Sequence, residues 1–109
     1  MKQLTSAGEV DSAVSGGTAI LYKHSTTCPI SAAAHKQMDQ FLERHPDAPF
    51  YMVDIHESEG ASRHVAERTG IAHESPQLIV FRDGEPAWHA AHFDITADAL
   101  EQQFGAGRS

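Results

Sequence analysis

Apolar residues fall into two kinds of pattern along the chain. Thr18 to His24 (TAILYKH), Phe50 to Ile55 (FYMVDI) and Gln77 to Phe81 (QLIVF) are short runs rich in β-branched, aliphatic and aromatic residues, which predict strands. The last is apolar almost without a break and is expected to be covered on both faces. Between the first two runs the period lengthens. Ile30, Ala34, Met38, Phe41 and Leu42 share one face of a helix expected from Cys28 to about His45. Pro29 suits its first turn, where a missing N–H costs nothing. His45-Pro46 ends it, because the residue before a proline avoids helical dihedrals. Ser58 to Thr69 reads as a second amphipathic helix, closed by Gly70. Ser6-Ala7-Gly8-Glu9 has capping-box spacing and opens a short helix to about Ser15, stopped by Gly16-Gly17. Asp83-Gly84 signals a hairpin, with Pro86 to Phe93 as a return strand at an edge, where Pro86 is tolerated. Thr96 caps a last helix through about Phe104, and Gly105 to Ser109 read as a frayed tail.

The element order is therefore α-β-α-β-α-β-β-α, without repeats or linkers. It predicts one domain over residues 1–109, of the α/β class: a four-stranded mixed sheet with helices on both faces. The crossover rule makes the first two strands parallel neighbours. By analogy at the level of the fold, this arrangement is thioredoxin-like.

Charge narrows the partners. The formal net charge is −7, with eight Lys and Arg scattered along the chain. That argues against nucleic acid, because phosphate binding needs clustered basic residues. The N-terminal ten residues lack the apolar stretch of a signal peptide, and Leu78-Ile79-Val80-Phe81 is far too short to span a bilayer. The expectation is a cytoplasmic protein with no membrane partner.

The chain has one cysteine, Cys28, so it forms no internal disulfide and no multi-cysteine zinc site. Cys28 stands where the first strand ends and a helix begins. Unpaired N–H groups and the helix dipole there favour a thiolate, the nucleophilic form. Ser31 occupies the position, three residues on, at which a dithiol enzyme carries its resolving cysteine. Its hydroxyl can support the thiolate but cannot resolve a mixed disulfide. The expected chemistry is monothiol exchange, which stops at a mixed disulfide until an external thiol arrives. The competing reading is an inert, buried Cys28. Pro76 begins the strand expected beside that of Cys28. A cis Ser75-Pro76 bond would bring backbone near the sulfur and leave the Ser75 N–H and C=O free for a bound partner; a trans bond at a strand start is the commoner alternative. Glu74 and His92 are expected near the cysteine, where either could assist proton transfer to a leaving thiolate; the favoured reading is a local hydrogen bond that fixes the loop. Asp54 is expected to serve as a surface or capping carboxylate.

Thr27-Cys28-Pro29-Ile30-Ser31, His73-Glu74-Ser75-Pro76-Gln77, Trp88 and His92-Phe93-Asp94-Ile95 together resemble the monothiol bacilliredoxins, over about Leu4 to Phe104. The resemblance implies an enzyme that removes bacillithiol from bacillithiolated proteins. Cys28 would be its nucleophile and Pro76 its cis-proline, with Thr27, Pro29 and Ser75 beside the substrate. It implies no cofactor and no metal, bacillithiol as co-substrate, and bacillithiolated proteins and a low-molecular-weight thiol as partners. Two alternatives stand beside it. One is an iron–sulfur carrier like the monothiol glutaredoxins, although their Cys-Gly-Phe-Ser motif is not present. The other is a non-catalytic thioredoxin-like interaction module, in which Cys28 would be sealed in the core.

Overall fold

The computed structural model describes residues 2–25 and 29–106, with side chains placed through Phe104. Five strands, β1 (Lys2–Gln3), β2 (Thr18–His24), β3 (Phe50–Asp54), β4 (Gln77–Arg82) and β5 (Glu85–Ala91), form one sheet in the order β1-β3-β2-β4-β5. β2 and β3 are parallel neighbours, as a β-α-β unit requires, while β4 runs antiparallel to both β2 and β5. Four helices, α1 (Ala7–Val14), α2 (Pro29–Arg44), α3 (Glu59–Thr69) and α4 (Ala97–Ala106), cover it, with a 3-10 turn at His92–Asp94 before α4.

The alternation along the central strands makes two cores. Ile20, Tyr22, Leu78 and Val80 point to one face, where Ala34, Met38 and Phe41 of α2 and Leu100 and Phe104 of α4 meet them. Ala19, Leu21, Ile79 and Phe81 point to the other, against Val10 and Val14 of α1 and Ala61 and Val65 of α3. Burial on both faces explains why β2 and β4 read as nearly unbroken apolar runs.

Local signals act largely as their residues dictate. Ser6 Oγ accepts the Glu9 N–H, and Thr96 Oγ1 accepts the Ala99 N–H. Gly70 ends α3 with φ 71°. Asp83 and Gly84 both take positive φ, 55° and 84°, as the tight hairpin turn requires.

Three expectations need correction. The sheet has five strands, not four: β1 is two exposed residues with no alternation to read, anchored by the buried Leu4 and the bond from its N–H to the Met52 carbonyl. The return strand stops at Ala91 and not at Phe93. The His92 N–H turns to the Pro76 carbonyl, and His92 adopts φ 56°. The last helix continues past Phe104 to Ala106, so Gly105 does not begin a tail.

Candidate functional site

The carboxyl end of β2 leads toward the amino end of α2, and the amino end of β4 lies beside it, because Lys23 pairs with Gln77 across the ladder. Pro29 is exposed as the first residue of the sixteen-residue α2. Pro76 immediately precedes β4, and the Ser75–Pro76 bond is cis. Pro29, Ser31, Ser75 and Pro76 therefore share one end of the sheet. Thr27 and Cys28 lie outside the described residues.

Among the described residues, two buried hydroxyls at this end lack partners: the Oγ of Ser31, which is 0% exposed, and the Oγ of Ser75. Buried hydroxyls are normally satisfied, so each of these has a proton to give to a further group at this end of the sheet. The loop carrying Ser75 is tied from outside: His92 Nε2 lies 2.8 Å from Glu74 Oε2, a local bond between half-exposed side chains.

A polar layer supports the strand ends from below. The Tyr22 hydroxyl donates to the Ser31 carbonyl at 3.2 Å and lies 3.0 Å from His24 Nδ1. The phenol has one proton. With that proton given to the carbonyl, His24 must carry its own on Nδ1 and donate to the phenol oxygen. Burial raises the Tyr22 pKa, keeping the phenol protonated. The His24 ring packs 4.9 Å from that of His35, and burial first, then His35, hold its pKa below the ordinary value. His24 is thus kept neutral near pH 7.

Asp54 is a capping carboxylate, as expected. Its Oδ1 accepts the backbone N–H groups of His56 and Glu57 at 2.9 and 3.0 Å. The Glu57 bond, followed by that from His56, holds its pKa below the ordinary carboxylate value against the opposing effect of burial. A depressed folded-state pKa adds stability that is present above the unfolded value and lost as pH falls through the folded one. Asp54→Ala should cost about 1–2 kcal/mol at pH 7 by urea unfolding, with the gap to the unsubstituted protein closing in acid.

On the opposite face of β2, Lys23 is 0% exposed. Its Nζ lies 3.2 Å from His73 Nδ1, in the loop before Pro76. Burial pushes its pKa down to about 8. From the sequence, Lys23 and His24 are expected beside the site, where their charge could offset repulsion between this acidic chain and the carboxylates of a small thiol. That Lys23 is completely buried, with His73 of the 71–75 loop against its ammonium, no local pattern shows.

A search for related proteins matches residues 2–100 to the family described as monothiol bacilliredoxin BrxC. The chain belongs to the monothiol bacilliredoxin family. Bacilliredoxins are thiol-redox proteins, and the structural likenesses agree with that assignment. A solved protein described as having a thioredoxin fold, and provisionally as an oxidoreductase, is 33% identical with a TM-score of 0.86, over 93% of this chain and 90% of its own. Thioredoxin from Fasciola hepatica is 14% identical with a TM-score of 0.78, covering 98% of this chain and 99% of its own. Mitochondrial thioredoxin 3 of Saccharomyces cerevisiae is 17% identical with a TM-score of 0.75, covering 97% and 94%. These two share the thioredoxin fold with this bacilliredoxin. No helix among the described residues is long and apolar enough to cross a membrane.

Proposed function

We propose that the chain is a cytoplasmic enzyme that removes bacillithiol from bacillithiolated proteins through a mixed disulfide at Cys28. The Cys28 thiolate attacks the bacillithiol sulfur of the substrate disulfide. A new sulfur–sulfur bond forms, the old one breaks, and the freed protein thiolate takes up a proton. A second low-molecular-weight thiol, as thiolate, then attacks the bacillithiol sulfur held on Cys28. Cys28 leaves as thiolate, and the two small thiols depart as a disulfide. The two electrons that reduce the substrate come from those thiols, so neither metal nor organic cofactor takes part.

The observation that carries this reading is the residue order at the start of α2. A lone cysteine directly precedes Pro29, the first helical residue, and Ser31 stands where a resolving thiol would be. The helix start favours the thiolate. In this reading Thr27 and Pro29 flank the bound disulfide, Ser31 Oγ donates to the Cys28 sulfur, and the backbone of Ser75, fixed ahead of Pro76, pairs with the extended partner.

Intact-mass analysis after mixing with a bacillithiolated model protein tests the proposal. One bacillithiol should move onto the chain, necessarily at Cys28, and the model protein should lose it. Failure of that transfer under conditions where a free thiol exchanges would overturn the assignment.

A further inference from the structure

We infer that the pocket between α3 and the 71–75 loop is an anion site that receives a carboxylate of the small thiol carried by the substrate disulfide; this rests on the exchange proposed above. The pocket has a volume of about 390 Å³, and its lining includes Ile55, His56, Glu59, Ser62, Arg63 and His73. It adjoins both segments that frame the reactive end of the sheet. His56 Nε2 lies 3.1 Å from the Oγ of Ser25, the last described residue before Cys28. His73 stands three residues before the cis-proline.

The chemistry of the wall is set from behind. An ammonium group has donors and no acceptor, so protonated Lys23 must donate to His73 Nδ1. The His73 proton then sits on Nε2, and the only ring nitrogen left for a ligand is a donor. Lys23 is fully buried, yet no carboxylate is paired with it among the described residues. Buried charges are normally paired. Leaving a cation so in a chain of net charge −7 makes sense if its counter-ion arrives with the substrate. Arg63 adds an exposed guanidinium, 3.0 Å from Glu59, which an incoming carboxylate must share or displace. Glu59 and Glu74 are opposing charges nearby, and the Asp54 carboxylate acts on His56 of the wall. Burial, and then Lys23, hold the His73 pKa below its ordinary value, which keeps the ring neutral with Nδ1 able to accept from Lys23, and an arriving anion stabilises the ammonium behind it.

Bacillithiol bears carboxylates, and their methyl esters do not carry the charge. The test compares transfer rates from two mixed disulfides of one peptide, with bacillithiol and with its carboxylate methyl ester. The unsubstituted protein should favour the free acid by about three- to tenfold, the worth of one charge-assisted hydrogen bond. Arg63→Gln, His73→Gln and added salt should each move the ratio toward one. A ratio of one in the unsubstituted protein, or a ratio that neither variant changes, overturns the site while leaving the exchange reaction standing. Loss of transfer from both disulfides overturns the exchange reaction and the site with it. Independently of any exchange, nitrogen-detected NMR at pH 7 should place the His73 proton on Nε2; a proton on Nδ1 would also overturn the site.

Discussion

Replacing Ser31 with cysteine should turn a protein that stops at a mixed disulfide into one that closes on itself. Ser31 Oγ is buried and makes no hydrogen bond among the described residues, so a sulfur there breaks no existing interaction. The new thiol would lie in the first turn of α2, three residues from Cys28. Tethered groups meet at effective concentrations in the mM range or above, so attack within the chain should outrun attack by dilute external thiols. After mixing with a bacillithiolated model protein, the bacillithiol adduct of Ser31→Cys should fall to about a tenth or less of its level in the unsubstituted protein. A species about 2 Da lighter than the reduced chain should replace it, marking an internal disulfide. An undiminished adduct would show that residue 31 does not reach the reactive sulfur, and would remove Ser31 from its proposed role as well. Ser31→Ala separates the two functions of the position. It should leave the adduct in place and raise the pH needed to form it, because only the hydroxyl's support of the thiolate is lost.

The elements that frame this chemistry were legible because their local and tertiary demands agree. TAILYKH and QLIVF are buried on both faces, so their composition alone marks them as strands of a covered sheet. The 3.6-residue spacing of Ala34, Met38 and Phe41 matches the stripe that α2 buries. Legibility ended where backbone partners come from afar. β1 exists because β3 offers a free edge, and Lys2 and Gln3 carry no sign of it. The end of β5 is set by the Pro76 carbonyl, sixteen positions before His92, whose N–H it accepts. In the site, Ser31 and Pro76 could be selected from spacing and fold order, since each is defined relative to a strand end. The cis bond could be expected only through the fold. Lys23 shows the limit most sharply: it could be expected beside the site, but nothing in the sequence signals that the fold seals it completely.

Lys23→Met should make the protein more stable at neutral pH and less selective. In the fold the ammonium has a pKa of about 8 against an ordinary 10.5. At about 1.4 kcal/mol per unit, burying the charge costs on the order of 3 kcal/mol. The sign follows from proton counting. Between pH 8 and 10.5 the unfolded chain still holds the proton that the folded chain has lost, so stability rises with pH across that window. The penalty is complete below pH 8 and gone above 10.5. Methionine keeps a similar length and volume without the charge, and gives up one hydrogen bond, worth about 1 kcal/mol. Urea unfolding at pH 7 should therefore show a net gain of about 2 kcal/mol, shrinking to zero or reversing by pH 10.5. Groups that titrate alike in both proteins cancel in this difference, which isolates residue 23. A variant less stable than the parent at pH 7 would mean that Lys23 is already satisfied in the resting protein, and the reason for a substrate counter-ion would vanish. If the gain appears together with loss of the preference for a carboxylate-bearing thiol, the position trades stability for recognition. A costly buried cation is expected at a functional site and has no reason to persist at a structural one.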